Sequence, residues 1–149
     1  MNLSEIIAKR KSIRIFKDED ITDSEITQLL NAAEQVPSAG GIHPLEFKIL
    51  YKSQMNIDFY KACLKQKVFL YAPCAIVISA DFAKMRARYH RRGIRYVHME
   101  AGHAAQNICL TAVSLGLGSV CIGAFNDVEV KILLKLETDP LYIIPIGRI

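Results

Sequence analysis

The chain has 149 residues, of which 51% are hydrophobic, a formal net charge of +4 and a mean hydropathy of +0.18. This length predicts one domain, residues 1–149, with one sizeable core, and the high hydropathy favours an oligomer. No apolar run reaches the roughly 18 residues of a membrane span, and charges interrupt the N-terminus where a signal peptide would be apolar. We therefore expect a cytoplasmic protein that does not associate with membranes.

Capping signals and apolar periodicity divide the chain into alternating helices and strands. Asn2 with Glu5, and Thr22 with Glu25, are the side-chain pairs of two capping boxes. The unbroken apolar run 75–79 predicts a buried strand. The predicted elements are a helix from Asn2 to about Arg10, a helix from Thr22 to Gln35, a strand at 46–52, a helix at 54–66, a strand at 75–79, a helix at 94–115, a strand at 119–124, a helix at 126–136 and a strand at 141–146.

A dinucleotide-binding sheet is one reading of this pattern, and the motifs argue against it. Gly116-Leu-Gly118 begins a G-x-G, but Cys121 stands where the third glycine belongs, and the pair follows a helix rather than a strand. A P-loop motif is absent. The cysteines form no Cys-x-x-Cys pair and lie mostly among apolar residues, so we expect buried free thiols, with Cys121 in the core. The four are Cys63, Cys74, Cys109 and Cys121.

The run 84–95 contains six Lys or Arg residues and no acidic residue. A solvated, mobile segment is the prediction here. Nucleic-acid binding would need interleaved aromatic side chains, and Tyr89 and Tyr96 alone do not supply them. The run could instead attract a phosphorylated nicotinamide donor or an anionic substrate. We expect no nucleic-acid partner.

Two short segments suit a flat, phosphorylated ligand. Residues 36–46 leave a helix at Pro37 and pass through Ser-Ala-Gly-Gly, where little side chain separates the backbone from a neighbour. Residues 10–14 combine three cations with one hydroxyl. Arg14 lies between isoleucines, which predicts a stem drawn into apolar surroundings and a partly buried guanidinium.

An ordered set of motifs resembles the FMN-dependent nitroreductase family, particularly its azoline (thiazole/oxazole) dehydrogenase-like branch. The resemblance implies an α+β nitroreductase-like fold, with a mixed, mostly antiparallel sheet flanked by helices, and a homodimer with FMN at its interface. Typical members run on beyond the position of Ile149, a departure that bears on the dimer. The motifs are Arg10-x-Ser12-x-Arg14, Pro37-Ser38-Ala39-Gly40-Gly41, Glu100-Ala-Gly-His103 with Asn107, Gly116-Leu-Gly118 and Pro145-Ile-Gly-Arg148.

The resemblance gives roles to the first cluster and to the end of the chain. Arg10 and Ser12, with Lys11 between them, match positions that bind the ribityl phosphate region. Arg14 matches the position that faces N1 and the C2 carbonyl, where negative charge collects on reduction. Arg148 would be a further phosphate clamp, although as a near-terminal residue it could also be frayed.

The small-residue loop and the strand after Gly118 would complete the site. Pro37, Ser38, Ala39 and Gly40 match the loop that reaches the flavin from the other subunit. Two roles are open for His43. It is either a structural residue before Pro44, or a donor of a hydrogen bond or a proton to the substrate. The backbone N–H of the segment Ile122-Gly123-Ala124 would meet flavin N5. The implied catalytic residues are Arg14, Gly123 and Ala124.

The long helix contains Glu100-x-x-His103, which is half of a di-iron motif. A single copy argues against a metal, so we predict no metal site. The resemblance makes this helix the dimer core. Its polar residues would satisfy one another across a two-fold axis, and its alanine-rich face from Val97 to Ala112 would be hidden in that contact.

Three functions remain open. The first is an FMN oxidoreductase that works by ping-pong, passing hydride through N5 from NAD(P)H to a quinone, a nitroaromatic or a similar acceptor. The second is an azoline-type peptide dehydrogenase. The third is a flavin-binding module without turnover.

Overall fold

The computed structural model describes all 149 residues. Short 3₁₀ turns lie at Ala39–Gly41 and Lys52–Gln54. In chain order the helices and strands are α1 Leu3–Lys9, α2 Asp23–Glu34, β1 Leu45–Tyr51, α3 Ile57–Ala62, α4 Val68–Tyr71, β2 Cys74–Ala80, α5 Phe82–Tyr89, α6 Arg92–Ser114, β3 Leu117–Ser119, α7 Asp127–Leu133 and β4 Asp139–Arg148. None of the helices is both long and apolar enough to cross a membrane.

The strands form one sheet in the order β1-β2-β4-β3, and each neighbouring pair is antiparallel. Helices cover both faces of this sheet. Val77 packs on one face with Phe59 and Phe69, whereas Ile76 and Ile78 pack on the other face with α2 and α6. This arrangement explains why β2 is apolar throughout, and it confirms the predicted α+β class with an antiparallel sheet.

Both predicted capping boxes form. The Asn2 side chain accepts a hydrogen bond from the Glu5 N–H, and Glu5 accepts one from the Asn2 N–H. Thr22 and Glu25 make the same reciprocal pair at the start of α2. These contacts satisfy the backbone N–H groups of the first helical turn, which have no carbonyl partner within the helix. Because the residue spacing of a capping box is fixed, both helix starts could be predicted from the sequence.

The helix predicted at 54–66 is shorter than expected. Asn56 caps α3 by accepting hydrogen bonds from the N–H groups of Asp58 and Phe59, so the helix begins after residue 54. Leu64 and Lys65 then adopt φ values of +58° and +55°. A helix cannot continue through this left-handed backbone, and the chain restarts as α4.

The basic run 84–95 is helical, and its basic side chains are solvated as predicted. Asp81 caps α5 by accepting from the N–H groups of Ala83 and Lys84. Met85 is fully buried, and Gly93 lies so close that an added Cβ would be 2.8 Å from the Met85 carbonyl oxygen. These local contacts hold α5 against the start of α6, while the basic side chains themselves remain exposed.

The alanine-rich face of α6 is buried within the chain itself, so its predicted role as the hidden two-fold contact was wrong. Ala101, Ala104 and Ile108 pack against α2 and the sheet. Asn107 is also used internally, because its Nδ2 donates to the carbonyls of Ala32 and Gln35 at 3.0 and 3.2 Å. The exposed face of α6 is a different and more polar one, formed by Arg95, His98, Met99, His103 and Gln106.

Candidate functional site

The segment after α1 runs beside β3 and exposes its polar side chains. Ser12 bridges to Ser119 in parallel, and the Ile13 N–H donates to the Ser119 carbonyl at 3.0 Å. Ile13 is half-buried and Phe16 is buried. The segment is therefore fixed by its backbone and by two apolar side chains, with its cations directed outwards.

Arg14 was predicted to be partly buried, and for the single chain this prediction was wrong. Its side chain is exposed, and the adjacent Ile15 is 79% exposed. Ile13 and Phe16 occupy the inward positions of this extended segment, so no apolar pocket remains for the arginine. Lys11 and Ser12 are exposed like Arg14, whereas Arg10 is half-buried.

The segment 120–124 is less regular than predicted, because β3 ends at Ser119. Its backbone still bonds to β4: the Val120 N–H donates to the Pro145 carbonyl at 3.3 Å, and Ile122 pairs with Ile143 through two hydrogen bonds of 2.9 Å. Gly123 and Ala124 are exposed, and their N–H groups have no acceptor within the chain. The Ala124 carbonyl accepts from Gln66 Nε2 at 2.7 Å, which fixes the orientation of this peptide. The N–H groups of Gly123 and Ala124 are therefore free to donate to a ligand, in a segment that these hydrogen bonds keep in place.

Cys121 begins this segment, and its prediction as a core thiol was wrong. The residue is exposed, while the other three cysteines are buried as expected. Neighbours explain the difference: Val120 and Ile122 are both buried, so the residue between them is directed outwards in an extended backbone.

Residues 10–14 and 119–124 together form a surface that we call the cationic edge. The bridge between Ser12 and Ser119 brings the two segments side by side. A cavity of about 500 Å³ opens next to it, lined by Lys11, Ile13 and Ser119 among others. Free cations beside free backbone N–H donors can bind an anionic group together with a ring that carries acceptor atoms.

The loop at 37–43 adopts the left-handed backbone that its glycines predicted. Gly40 and Gly41 have φ values of +63° and +65°, and His43 follows with +52°. The His43 N–H donates to Ser38 Oγ at 2.9 Å, which stabilises this strained turn. On its other side, Arg88 Nη1 donates to the Gly40 carbonyl at 3.4 Å. The basic helix α5, remote in sequence, therefore supports the loop.

One chain does not bring the loop and the cationic edge together. The loop borders a cavity of about 290 Å³ whose α6 side is formed by residues from Tyr96 to His103. The cavity at the cationic edge meets α6 at Val113. At a rise of 1.5 Å per residue, Glu100 at the loop cavity is about 20 Å from Val113 along the helix axis. It is about 14 Å from Cys109, which contacts Cys121 of the cationic edge.

Glu100, which the sequence analysis considered as half of a metal motif, is a candidate functional residue. It is 3% exposed, and its Oε1 has no hydrogen-bond partner. The carboxylate borders a cavity of about 620 Å³ that His43 also lines. His103, its partner in the half-motif, is exposed, and both residues line the smaller cavity beside the loop. The sequence did contain a signal: Glu100 lies one residue before Ala101 and four before Ala104, which places a carboxylate beside the apolar face of the helix. The structure shows that both alanines are buried.

Arg148 is held by an acidic residue rather than frayed. Its Nη1 and Nη2 donate to the two carboxylate oxygens of Glu25 at 2.7 and 2.8 Å. Hydrogen bonding from Arg148 is the main reason that the pKa of Glu25 lies below its ordinary value. A phosphate would have to compete with this carboxylate, because Arg148, which was expected to bind phosphate, is already paired with Glu25.

Comparison with known proteins identifies relatives of the whole chain. The sequence profile of the Nitroreductase family matches residues 7–67 and 54–148. A protein of Methanocaldococcus jannaschii, named as a candidate nitroreductase, is 34% identical over an alignment that covers 99% of this chain and 91% of the relative. That alignment of 181 positions is longer than this chain, so the relative has internal residues that the chain lacks. The overlap of the two profile matches at 54–67 indicates that the shortening lies between β1 and β2.

Solved structures show the same fold. A candidate NADH oxidase of Clostridium acetobutylicum is 32% identical, with a TM-score of 0.84, and the match covers 95% of this chain and 86% of that one. An FMN-dependent nitroreductase of Clostridium difficile is 29% identical, with a TM-score of 0.82 and coverages of 96% and 85%. The chain belongs to the nitroreductase family.

Proposed function

We propose that this protein is an FMN-dependent oxidoreductase that passes a hydride from NAD(P)H to an acceptor such as a quinone or a nitroaromatic. The observation that supports this most directly is the cationic edge. It combines exposed cations at residues 10–14 with the free N–H groups of Gly123 and Ala124. FMN has a phosphate at one end and a ring with hydrogen-bond acceptors at the other.

The chemistry of the residues fits FMN. Arg10, Lys11 and Ser12 would bind the phosphate, because two cations and a hydroxyl are held on one short segment. Arg14 would face the pyrimidine end of the ring, where a cation opposes the negative charge that collects on reduction. When bound, FMN supplies hydride acceptance and donation at N5. The donors of Gly123 and Ala124 would orient the ring at that atom, and their small side chains leave room for it.

A ping-pong cycle requires that donor and acceptor use the same face of the ring in turn. The basic side chains of α5 are exposed and could attract a phosphorylated nicotinamide donor. The azoline dehydrogenase branch would use the same site in the opposite direction, and no contact described above favours it.

A homodimer would complete the site. Two observations support this proposal: the loop cavity and the cationic edge meet α6 at points about 14 to 20 Å apart, and the outward face of α6 is unpacked, with Met99 52% exposed. A two-fold axis beside this face would let Ser38–Gly41 of one subunit close over the cationic edge of the other.

The purified protein tests the function. We expect the visible absorption bands of an oxidised flavin, bleaching by NADH or NADPH under anaerobic conditions, and recovery of colour when a quinone is added. Protein that stays colourless in the presence of added FMN would refute the proposal. Protein that binds FMN but is not reduced by either nicotinamide would instead be a flavin-binding module.

Dilution tests the shared site. If each FMN contacts both subunits, FMN stabilises the dimer by mass action, so light scattering should show dissociation at lower protein concentration with FMN than without it. A monomer that binds FMN with undiminished affinity would refute the shared site while leaving flavin chemistry intact.

A further inference from the structure

Cys109 and Cys121 face each other beside the cationic edge. Their Sγ atoms are 3.5 Å apart, although one residue lies on α6 and the other on the segment after β3. Cys121 is exposed, whereas Cys109 is 2% exposed and lies behind it. One thiol is therefore accessible to a small molecule, and the second is within reach of the first.

The surroundings of this pair favour a thiolate. Hydrogen bonding with Cys121 is the main factor that lowers the pKa of Cys109 to about 7, and Ser119 and the positive charge of Arg10 act in the same direction. The proton shared with Cys109 raises the pKa of Cys121 in turn. Burial instead raises the pKa of Cys63 and of Cys74 to about 12. Only the facing pair has a neighbouring thiol that stabilises a thiolate, the species that attacks in thiol–disulfide exchange.

We propose that Cys109 and Cys121 are a redox-active dithiol, which a small-molecule disulfide oxidises to an intramolecular disulfide. The proton of Cys121 passes to Cys109 along their hydrogen bond, and the Cys121 thiolate attacks one sulfur of the oxidant. The oxidant S–S bond breaks, a mixed disulfide forms at Cys121, and the first thiolate leaves. Cys109 then attacks the Cys121 sulfur, which releases the second thiolate. One proton of the pair is lost to water when Cys109 ionises, and the proton that Cys109 takes from Cys121 is lost before Cys109 attacks. The two leaving thiolates take up two protons, so the protein loses two electrons and one disulfide becomes two thiols.

The backbone allows this closure. A disulfide requires the sulfur atoms to approach from 3.5 Å to about 2.05 Å. Cys121 lies outside regular secondary structure, between Val120, whose N–H donates to the Pro145 carbonyl at 3.3 Å, and Ile122, which pairs with Ile143. Rotation of one exposed side chain, with a small shift of its segment, can supply the movement.

The disulfide would also affect the cationic edge, a consequence that rests on the proposed function. Cys121 is two residues before Gly123, whose free N–H is assigned to the flavin ring. A covalent bond to α6 would fix that segment differently, so oxidised protein should bind FMN with altered affinity. Formation of the disulfide itself does not depend on FMN.

Incubation of the purified protein with mixtures of oxidised and reduced glutathione tests the proposal. We expect two of the four cysteines to become resistant to alkylation, and a proteolytic fragment that links residue 109 to residue 121. Cys109→Ser should stop at a mixed disulfide on Cys121, and Cys121→Ser should form neither product, because Cys109 is buried. Cys63→Ser, a change at a buried cysteine outside the pair, should form the linked fragment like the wild type.

Folded wild-type protein without the linked fragment in fully oxidised glutathione would overturn the proposal, and so would equal protection of Cys63. An FMN titration of reduced and oxidised protein is read separately. Failure of both forms to bind FMN would contradict the proposed function and leave the dithiol standing, whereas equal FMN affinity in both forms would remove only the link between them.

Discussion

Arg148 on β4 and Glu25 in the first turn of α2 form a two-point ion pair, with N–O distances of 2.7 and 2.8 Å. Glu25 Oε2 also accepts from the N–H and Oγ of Thr22, each at 2.9 Å. A single carboxylate therefore completes the cap of α2 and joins that helix to the last strand. The family resemblance assigned Arg148 to a phosphate, and the fold gives it a structural partner.

This pair predicts a specific loss of stability in acid. The pKa of Glu25 is lower in the folded protein than in the unfolded chain. Its contribution is therefore complete above the unfolded pKa and is lost as the pH falls through the folded value. Urea unfolding should show Glu25→Gln to be less stable than the wild type at neutral pH, with a difference that shrinks towards about pH 3.

Asp18→Asn is the matched control. Asp18 forms an ion pair with Lys52 at 2.7 Å, but its side chain is 92% exposed, and such pairs contribute little. We expect a smaller change in the urea midpoint than for Glu25→Gln. Equal midpoints for Glu25→Gln and the wild type at neutral pH would show that the pair does not stabilise the fold.

Gly147 on β4 should not accept a side chain. A Cβ at this position would lie 2.7 Å from Cγ of the buried Phe16 ring. Gly147→Ala should therefore lower the free energy of unfolding by about 1–3 kcal/mol through overpacking. Gly102→Ala is the control, because Gly102 lies in α6 with no atom near its missing Cβ. That change should raise the free energy of unfolding by about 0.5–1 kcal/mol, and a Gly147→Ala variant as stable as the wild type would show that Phe16 is free to move.

Local signals gave the sequence prediction most of its accuracy. Asn2 with Glu5, and Thr22 with Glu25, occupy the fixed spacing of a capping box, so both helix starts followed directly. The apolar run of β2 identified a strand with both faces covered. Neither inference requires knowledge of a residue far along the chain.

The errors concern which way a side chain points and what distant residue meets it. Arg14 has apolar neighbours on both sides, and only the fold shows that Ile13 and Phe16 take the inward positions. The alanines of α6 are small enough for a helix pair or for a tightly packed core, and sequence spacing does not distinguish these. The Arg148 to Glu25 pair joins residues 123 positions apart, for which no local pattern exists.

Arg14 should affect the cofactor and not the fold. Its side chain is exposed and forms no hydrogen bond or ion pair within the chain, so Arg14→Ala should unfold at the same urea concentration as the wild type. FMN binding should weaken by about tenfold, the value of one charge-assisted contact. The flavin reduction potential should fall, because a cation is lost from the end of the ring that gains negative charge.

Arg86→Ala controls for net charge, since Arg86 is an exposed arginine on α5, outside the cationic edge. It should leave both FMN affinity and potential unchanged. An unchanged potential in Arg14→Ala would remove Arg14 from the ring, and equal losses in both variants would indicate a general charge effect.

The loop at 37–43 offers a matched pair of glycines for its role at the cofactor. Gly40 and Gly41 have φ values of +63° and +65°, so alanine at either position costs a similar backbone strain, roughly 1–2 kcal/mol. Only at Gly40 would the new Cβ meet neighbours, Arg88 Nη1 and Tyr89 Oη, both at 2.7 Å. These are the ends of long side chains, which can move aside.

The two glycine variants should therefore lose similar stability in urea, while Gly40→Ala alone displaces Arg88 from the loop. If Ser38–Gly41 closes over FMN, a fluorescence titration should show weaker FMN binding for Gly40→Ala than for Gly41→Ala, and Arg88→Ala should resemble the former. Equal FMN affinity in all three variants would show that this side of the loop does not influence the cofactor site.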